Sequence, residues 1–491
     1  MTPADTRREL AQLSSPLYLS VPRVSIILAA GHGRRIKSEK SKMLHEIWGK
    51  PSVWRVCEAA REGLGSDNEV VVVGIKALEV ARALGKREGR VFVYQEEQRG
   101  TGHAVQTALE QGGLEGFSGE VYVFPGDMGL ITGRTVRSLR DLFTGGECDM
   151  VVLTGRYEGD PEENSYGRIL TSRNHGGRII EIKEHRDILA MDPEALYQVR
   201  FQGREERFTR RELLDIREFN VGVYALQAET LRAHLGGLQP DNVQAELYVT
   251  DLIKILNEHG LRVCPSPVHD NSVVSFNVKS MLKKMEAAFR NRIYERLKDI
   301  ITIDDPEDFY IAEETVARIE AMDREQDAVE VTVGQGAHIG PGVEVNRGLT
   351  VGRHARLEGN VRLGAGVTIG ENAHLSTYPD QTIEIGDGCT VFRGNVIKGM
   401  VRIGSGVRIE TGVRMTGSSR EPVIIGDRVL IKGTTYLFGS VVEQDVLIEH
   451  AILKSCTVER VVRKDGTVQP VKYILPHPEG LDSVVPRRPR L

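Results

Sequence analysis

Short apolar runs rich in β-branched residues punctuate the first half of the chain: Val24–Leu28, Glu69–Gly74, Arg90–Tyr94, Val121–Phe124 and Met150–Leu153. Segments of helical length separate most of them, including the amphipathic stretch Ser52–Leu64, then His103–Gln111 and Thr135–Phe143. Continuous rather than alternating apolar runs suit strands buried on both faces. Strand–helix alternation then predicts an α/β domain, a doubly wound, Rossmann-like and mostly parallel sheet. Ligands on such sheets bind beyond the C-terminal strand ends. Further on, Leu282, Met285, Phe289, Ile293 and Leu297 recur at steps of three or four within Ser280–Lys298, one apolar stripe of a connecting helix.

From Val329 the period changes. Aliphatic residues return every sixth position at Val333, Ile339, Val345, Val351, Leu357, Leu363, Ile369 and Leu375. The beat resumes at Ile385, Val391, Ile397, Ile403, Ile409 and Met415, and again at Ile425, Ile431 and Leu437. A hexapeptide repeat of this kind is the mark of a parallel β-helix, each coil stacking one aliphatic residue per face. The two interruptions predict loops leaving the coil at Ser376–Gln381 and Gly417–Pro422. The expected organisation is an N-terminal extension (1–22), an α/β domain (23–279), a helical connector (280–328), a β-helix (329–459) and a tail (460–491).

Composition narrows the classes without choosing among them. With 491 residues, 40% hydrophobic and 27% charged, the chain can bury more than one core. A net charge of −5 carries no global signature of nucleic-acid binding. No window reaches the length of a membrane span, and residues 1–22 hold no continuous apolar stretch, so a cytoplasmic protein without a secretory signal is expected. The five cysteines (Cys57, Cys148, Cys264, Cys389, Cys456) are scattered and read as reduced packing residues.

Candidate chemistry begins where the first strand breaks into Ala29-Ala30-Gly31-His32-Gly33-Arg34-Arg35. Gly31 and Gly33 allow a sharp turn that brings backbone N–H groups close to a phosphate, and Arg35 and Lys42 add positive charge. The loop lacks the third glycine of a dinucleotide fingerprint and the Gly-Lys-Ser/Thr of a Walker loop. Gln95-Glu-Glu-Gln98-Arg-Gly100-Thr101-Gly102 follows the third strand, where amides and glycines suit a flat base. Asp127, in Pro125-Gly126-Asp127 after the fourth strand, suits a Mg²⁺ ligand sharing the ion with phosphate oxygens. Each segment alone also reads as a plain turn or cap.

In order, the motifs LAAGxGxR…K…LH, QxxQxGTGHA, GD, YGRI, EHRD, NxG and AELYxTD resemble the nucleotidyltransferase domain of the bacterial bifunctional N-acetylglucosamine-1-phosphate uridylyltransferase/glucosamine-1-phosphate acetyltransferase family. The resemblance implies a nucleotidyltransferase of the UDP-N-acetylglucosamine diphosphorylase type, with UTP and a sugar-1-phosphate as substrates and Mg²⁺ as cofactor. It implies that Arg35 and Lys42 hold the triphosphate and the departing pyrophosphate. Leu28, Ala30, Gly31, Gly33, Gln95, Gln98, Gly100 and Thr101 would bind the nucleotide. Gly167, Glu184, Asn220, Tyr248 and Thr250 would line the sugar-phosphate pocket, and Asn277 would join Asp127 on the metal. Departures are Ser41 for the usual Pro, Pro125 for an aromatic, Gly129 for Pro, and Leu247 for the first of a tyrosine pair. A charged insertion, about Gln198–Ile216, reads as a solvated surface loop plus helix, with a lid as the alternative.

The repeats resemble hexapeptide acyltransferases, which implies a left-handed coil and a homotrimer. Acetyl transfer in the bifunctional family needs an Arg-Pro-Gly turn, a Lys pair and an Asn-Tyr-Asp-Gly segment, none of which has a counterpart here. His374, in His374-Leu375-Ser376-Thr377-Tyr378, superficially echoes the family's histidine loop, and His338 and His354 have no carboxylate or amide companion nearby in sequence; all three read as surface histidines. Acetyl-CoA as a second substrate, a different nucleotide sugar, or a non-catalytic regulatory subunit are the rival readings.

Overall fold

In the computed structural model, residues 2–31, 33, 36–172, 178–268, 273, 275–325 and 327–475 are described. The chain divides into two compact units, residues 1–286 and 287–491. The division falls inside the helix Lys279–Leu297, along which Met285, Phe289, Ile293 and Leu297 are buried.

The first unit is built on strands β1 (Arg23–Ala29), β2 (Glu69–Val73), β3 (Arg90–Tyr94), β4 (Glu120–Pro125), β5 (Met150–Arg156), β6 (Arg168–Thr171), β7 (Ile179–Lys183), β8 (Leu196–Phe201), β9 (Arg204–Thr209), β10 (Glu218–Gln227) and β11 (Val263–Val268). The central order is β11-β5-β10-β4-β1-β2-β3. All neighbours pair in parallel except β10, which lies antiparallel between β4 and β5. Alternate residues of β2 feed two cores: Val71 and Val73 on one face, Val70 and Val72 on the other. Full burial of each such side chain is worth roughly 1.5–3 kcal/mol, which explains why these strands read as unbroken apolar runs. The order reverses between β1 and β4, the place where such sheets open a crevice at their C-terminal ends.

The N-terminal extension is part of this unit. Its helix (Pro3–Leu13) starts with a Thr2–Asp5 capping box and buries Leu10 in the core. Beyond it Ser15 donates its N–H to the Arg90 carbonyl at 2.7 Å, and Phe92 donates to Ser14 Oγ at 2.9 Å. Those bonds satisfy part of the open edge of β3.

The charged insertion has the expected helix, but its first part is a hairpin rather than a loop. β8 and β9 form a hairpin followed by a helix, Arg210–Asp215, with its own Thr209–Glu212 capping box. Val199, Phe201, Phe208 and Leu213 make a small separate core with Leu170, Ile180 and Ile188. The charges occupy the outer positions of a strand alternation that the high overall charge concealed.

Cysteine usage also departs from expectation. Cys148 and Cys264 are joined as a disulfide, while Cys57 and Cys389 are buried and free. Cys264 lies on β11 and Cys148 just ahead of β5, so sheet order makes neighbours of residues 116 apart.

The second unit is the β-helix that the hexapeptide beat predicts, left-handed as the resemblance to hexapeptide acyltransferases implies, with three parallel faces. Every aliphatic residue of the beat from Val333 to Leu437 is buried. The coil starts earlier than the beat, because Thr302–Ile303 and Tyr310–Ile311 pair with Thr332–Val333 and His338–Ile339. A helix, Glu313–Arg324, follows these two strands, so that stretch keeps no six-residue period. Strand pairing also continues to Val471–Lys472. Both expected loops leave the coil, and Ser419 Oγ reaches Asp380 Oδ2 at 3.3 Å between them. His338 and His374 do have a carboxylate companion: Glu358 stands 4.0 Å from His338 Nε2 and 3.5 Å from His374 Nε2. Coil stacking, invisible to linear spacing, brings the three together.

Candidate active site

Three groups of side chains line the C-terminal ends of the parallel strands. The first is centred on Lys42. Its ammonium contacts Asp127 Oδ2 and donates to Asn277 Oδ1 at 2.9 Å. The lysine is only 8% exposed, and its Nζ lies 5.5 Å from the centre of the Phe276 ring. Asp127 follows β4, and Gly126 donates its N–H to the Leu28 carbonyl of β1 at 3.0 Å, so the strand reversal itself sets the aspartate beside the glycine loop. At Gly33 (φ +59°) a Cβ would stand 2.7 Å from Lys42 Cβ, so only glycine leaves room for the lysine stem. Ser41 holds φ −54°, within the range proline would impose, so the backbone entering Lys42 takes that conformation without the ring. Arg35 lies outside the described residues.

The second group is the loop after β3. Gln95 is buried, donates its backbone N–H to the Val73 carbonyl at 2.8 Å, and donates Nε2 to Gly100 O at 3.2 Å. Gln98 and Ala30 both flank Gly74, where an added Cβ would meet Gln98 Nε2 and Ala30 O at 2.8 Å each. The loop is tied to the segment around Leu247: Leu247 N–H donates to Arg99 O at 2.8 Å, and Val249 N–H to Thr101 Oγ1 at 3.1 Å. Backbone atoms carry the Leu247 contact to Arg99, so replacing an aromatic there leaves that bond intact.

The third group surrounds Glu184. Asn220 donates its N–H to the Gly167 carbonyl at 2.9 Å, and a Cβ on Gly167 would stand 3.1 Å from Glu184 Oε1. The Asn220 carboxamide is held at both ends, accepting from Gly222 N–H at 2.9 Å and donating to the Tyr224 hydroxyl at 2.8 Å. Burial, with the charges of Asp187 and Asp251, pushes the Glu184 carboxyl up to about 7. Burial likewise pushes Asp251 up to about 6, and raises the Tyr248 phenol with help from Asp187 and Glu184. Thr250 is buried beside Glu184. Tyr166 stacks on Phe219 at 4.4 Å and donates to Ser275 O at 3.4 Å, linking this group to the segment that carries Asn277.

Sequence reasoning missed Phe276 and Tyr224. Each reads as an ordinary core residue, and only the fold sets one under an ammonium and the other against a carboxamide.

Residues 25–211 match the model of the MobA-like NTP transferase domain. The first domain is similar to that family over this span. Curated relatives agree: the chain is 35% identical over 288 residues to "Bifunctional protein GlmU" of Clostridium tetani, covering 58% of this chain and 57% of that protein. Against the protein of the same name from Geobacter metallireducens it is 37% identical over 289 residues, covering 58% and 55%. The chain thus spans a little over half the length of the curated relatives it matches. A solved UDP-glucose pyrophosphorylase complexed with UDP-glucose aligns at 17% identity and a TM-score of 0.40, over 55% of this chain and 99% of that one. The resemblance read from the ordered motifs is borne out for the nucleotidyltransferase domain.

Proposed function

We propose that this protein is a Mg²⁺-dependent uridylyltransferase that forms UDP-N-acetylglucosamine and pyrophosphate from UTP and N-acetylglucosamine-1-phosphate. The observation that carries the reading is the meeting of Lys42, Asp127 and Asn277, drawn from three distant segments, beside the glycine loop of a MobA-like NTP transferase domain. An oxygen of the sugar phosphate forms the new bond to the α-phosphorus of UTP as the α–β anhydride bond breaks, and pyrophosphate leaves with the electron pair. The nucleophile is already an anion, so no protein base is needed. The work left is to align two repelling phosphates and neutralise charge.

Asp127 and Asn277 fit a hard divalent cation, since both aim an oxygen at one positive charge, the ammonium of Lys42. When bound, Mg²⁺ would supply charge neutralisation on phosphate oxygens. Lys42, with Arg35, would hold the triphosphate; Gln95, Gln98, Gly100 and Thr101 would take the base. Gly167, Glu184, Asn220, Tyr248 and Thr250 would receive the sugar, the fixed carboxamide of Asn220 suiting an N-acetyl group. The β-helix would assemble a homotrimer, which light scattering of the intact chain reads directly. We place the activity in the cytoplasm.

The test is pyrophosphate release from UTP with Mg²⁺ across a panel of sugar-1-phosphates. Release peaking with N-acetylglucosamine-1-phosphate supports the reading, and a peak with another sugar moves the specificity. Absence of release with every sugar and nucleotide removes the enzyme and leaves a regulatory subunit.

A further inference from the structure

Lys42 meets both proposed metal ligands. Its ammonium contacts the Asp127 carboxylate and donates to the Asn277 carboxamide oxygen. Burying a cation in this way requires compensation, and here it comes from those two oxygens together with the face of Phe276. The arrangement is built rather than incidental. Gly33 leaves room for the lysine stem, and the segment ending in Asn277 is anchored by Tyr166 through Ser275 O.

We propose that Lys42 acts as an internal counter-cation: it occupies the divalent-cation position while the site is empty of metal, and it is exchanged when the metal arrives. This rests on the metal-ligand reading of Asp127 and Asn277. The consequence is a coupling between two roles of one side chain. Without its partner charge the Asp127 carboxylate would be left half-buried and unpaired, a costly state that would favour collapse of the site. With Lys42 in place, Asp127 and Asn277 stay gathered although they lie far apart in sequence. Entry of the metal then displaces the ammonium towards the triphosphate, where its charge is needed. The cost is competition: a free divalent cation must displace a lysine already paired, so affinity for metal in the absence of nucleotide is held down.

The experiment titrates Mn²⁺ into the full-length, chelator-stripped protein without nucleotide or sugar, reading the loss of the free-ion signal by electron paramagnetic resonance. K42M keeps the stem and removes the charge, and K42Q keeps a polar tip; circular dichroism and Tm identify a variant that has not folded. The expected result is Mn²⁺ binding about ten-fold tighter in K42M or K42Q than in wild type, a change of ~1.4 kcal/mol. The gain should vanish in the double variant K42M/D127N. Equal or weaker binding in the folded Lys42 variants overturns the proposal, and so does a gain that survives D127N. Because no substrate is present, this outcome is independent of whether uridylyl transfer is observed.

Discussion

Gly102 donates its N–H to the carbonyl of Leu247 at 2.7 Å, joining the loop after the third strand to the segment that carries Tyr248 and Thr250. Two residues before it, Gly100 holds φ +104°, and a Cβ there would stand 2.4 Å from the Leu247 carbonyl oxygen. Gly100→Ala therefore forces the two segments apart as well as straining the backbone, a cost of about 1–3 kcal/mol. We expect KM to rise about ten-fold for both UTP and the sugar-1-phosphate in steady-state assays. A change confined to one substrate would show that the two segments act separately.

Asp127→Asn keeps the shape of the Lys42 cluster and removes its negative charge. Turnover should fall by at least about 100-fold, the scale of losing one preorganised electrostatic contact in a phosphoryl-transfer site. Tm should shift by only a few degrees, because the neutral side chain still accepts from Lys42. Unchanged turnover would remove Asp127 from the machinery.

Glu184 makes stability depend on pH. Its folded carboxyl sits near 7, above the value near 4.5 in an unfolded chain. Between those values the folded state binds the proton and the unfolded state does not, so stability falls as pH rises through that window. Glu184→Gln removes the penalty. The variant should equal wild type near the bottom of the window and exceed it above the top by roughly 3 kcal/mol, measured by urea unfolding at both ends. A constant difference across pH would contradict this origin.

The Tyr224 hydroxyl accepts from the Asn220 amide, and on the proposed reading it would position Asn220 for the sugar. Tyr224→Phe leaves the core volume intact and frees that amide. The expected effect is a rise of several-fold in KM for the sugar-1-phosphate at unchanged KM for UTP, with about 1 kcal/mol lost in stability. Equal shifts in both constants would point to general loosening instead.

The inserted hairpin and helix rest on their own apolar cluster, so damage there should stay local. Phe208→Ala should cost about 3–5 kcal/mol within that cluster. Hydrogen exchange would then show faster exchange over residues 196–216 while β1 and β2 keep their protection. Acceleration throughout the sheet would mean the insertion and the main sheet unfold together.

Much of this protein was legible in linear order because its strongest signals are local. A buried parallel strand must be apolar at every position, and a β-helix coil must return an aliphatic residue inward every sixth residue. Those constraints act on neighbours in the chain, so Val24–Leu28, Val70–Val73 and the run from Val333 to Leu437 declared both folds. The ordered short motifs carried the resemblance to nucleotidyltransferases in the same way. What only the tertiary structure decided depends on strand order and coil stacking. These set Cys148 against Cys264, Glu358 between two histidines, and a hairpin core inside a charged insertion. They also bring Asp127 and Asn277 to one ammonium, because the sheet reverses direction beside the first strand. Linear spacing holds no information about which distant segments that reversal will join.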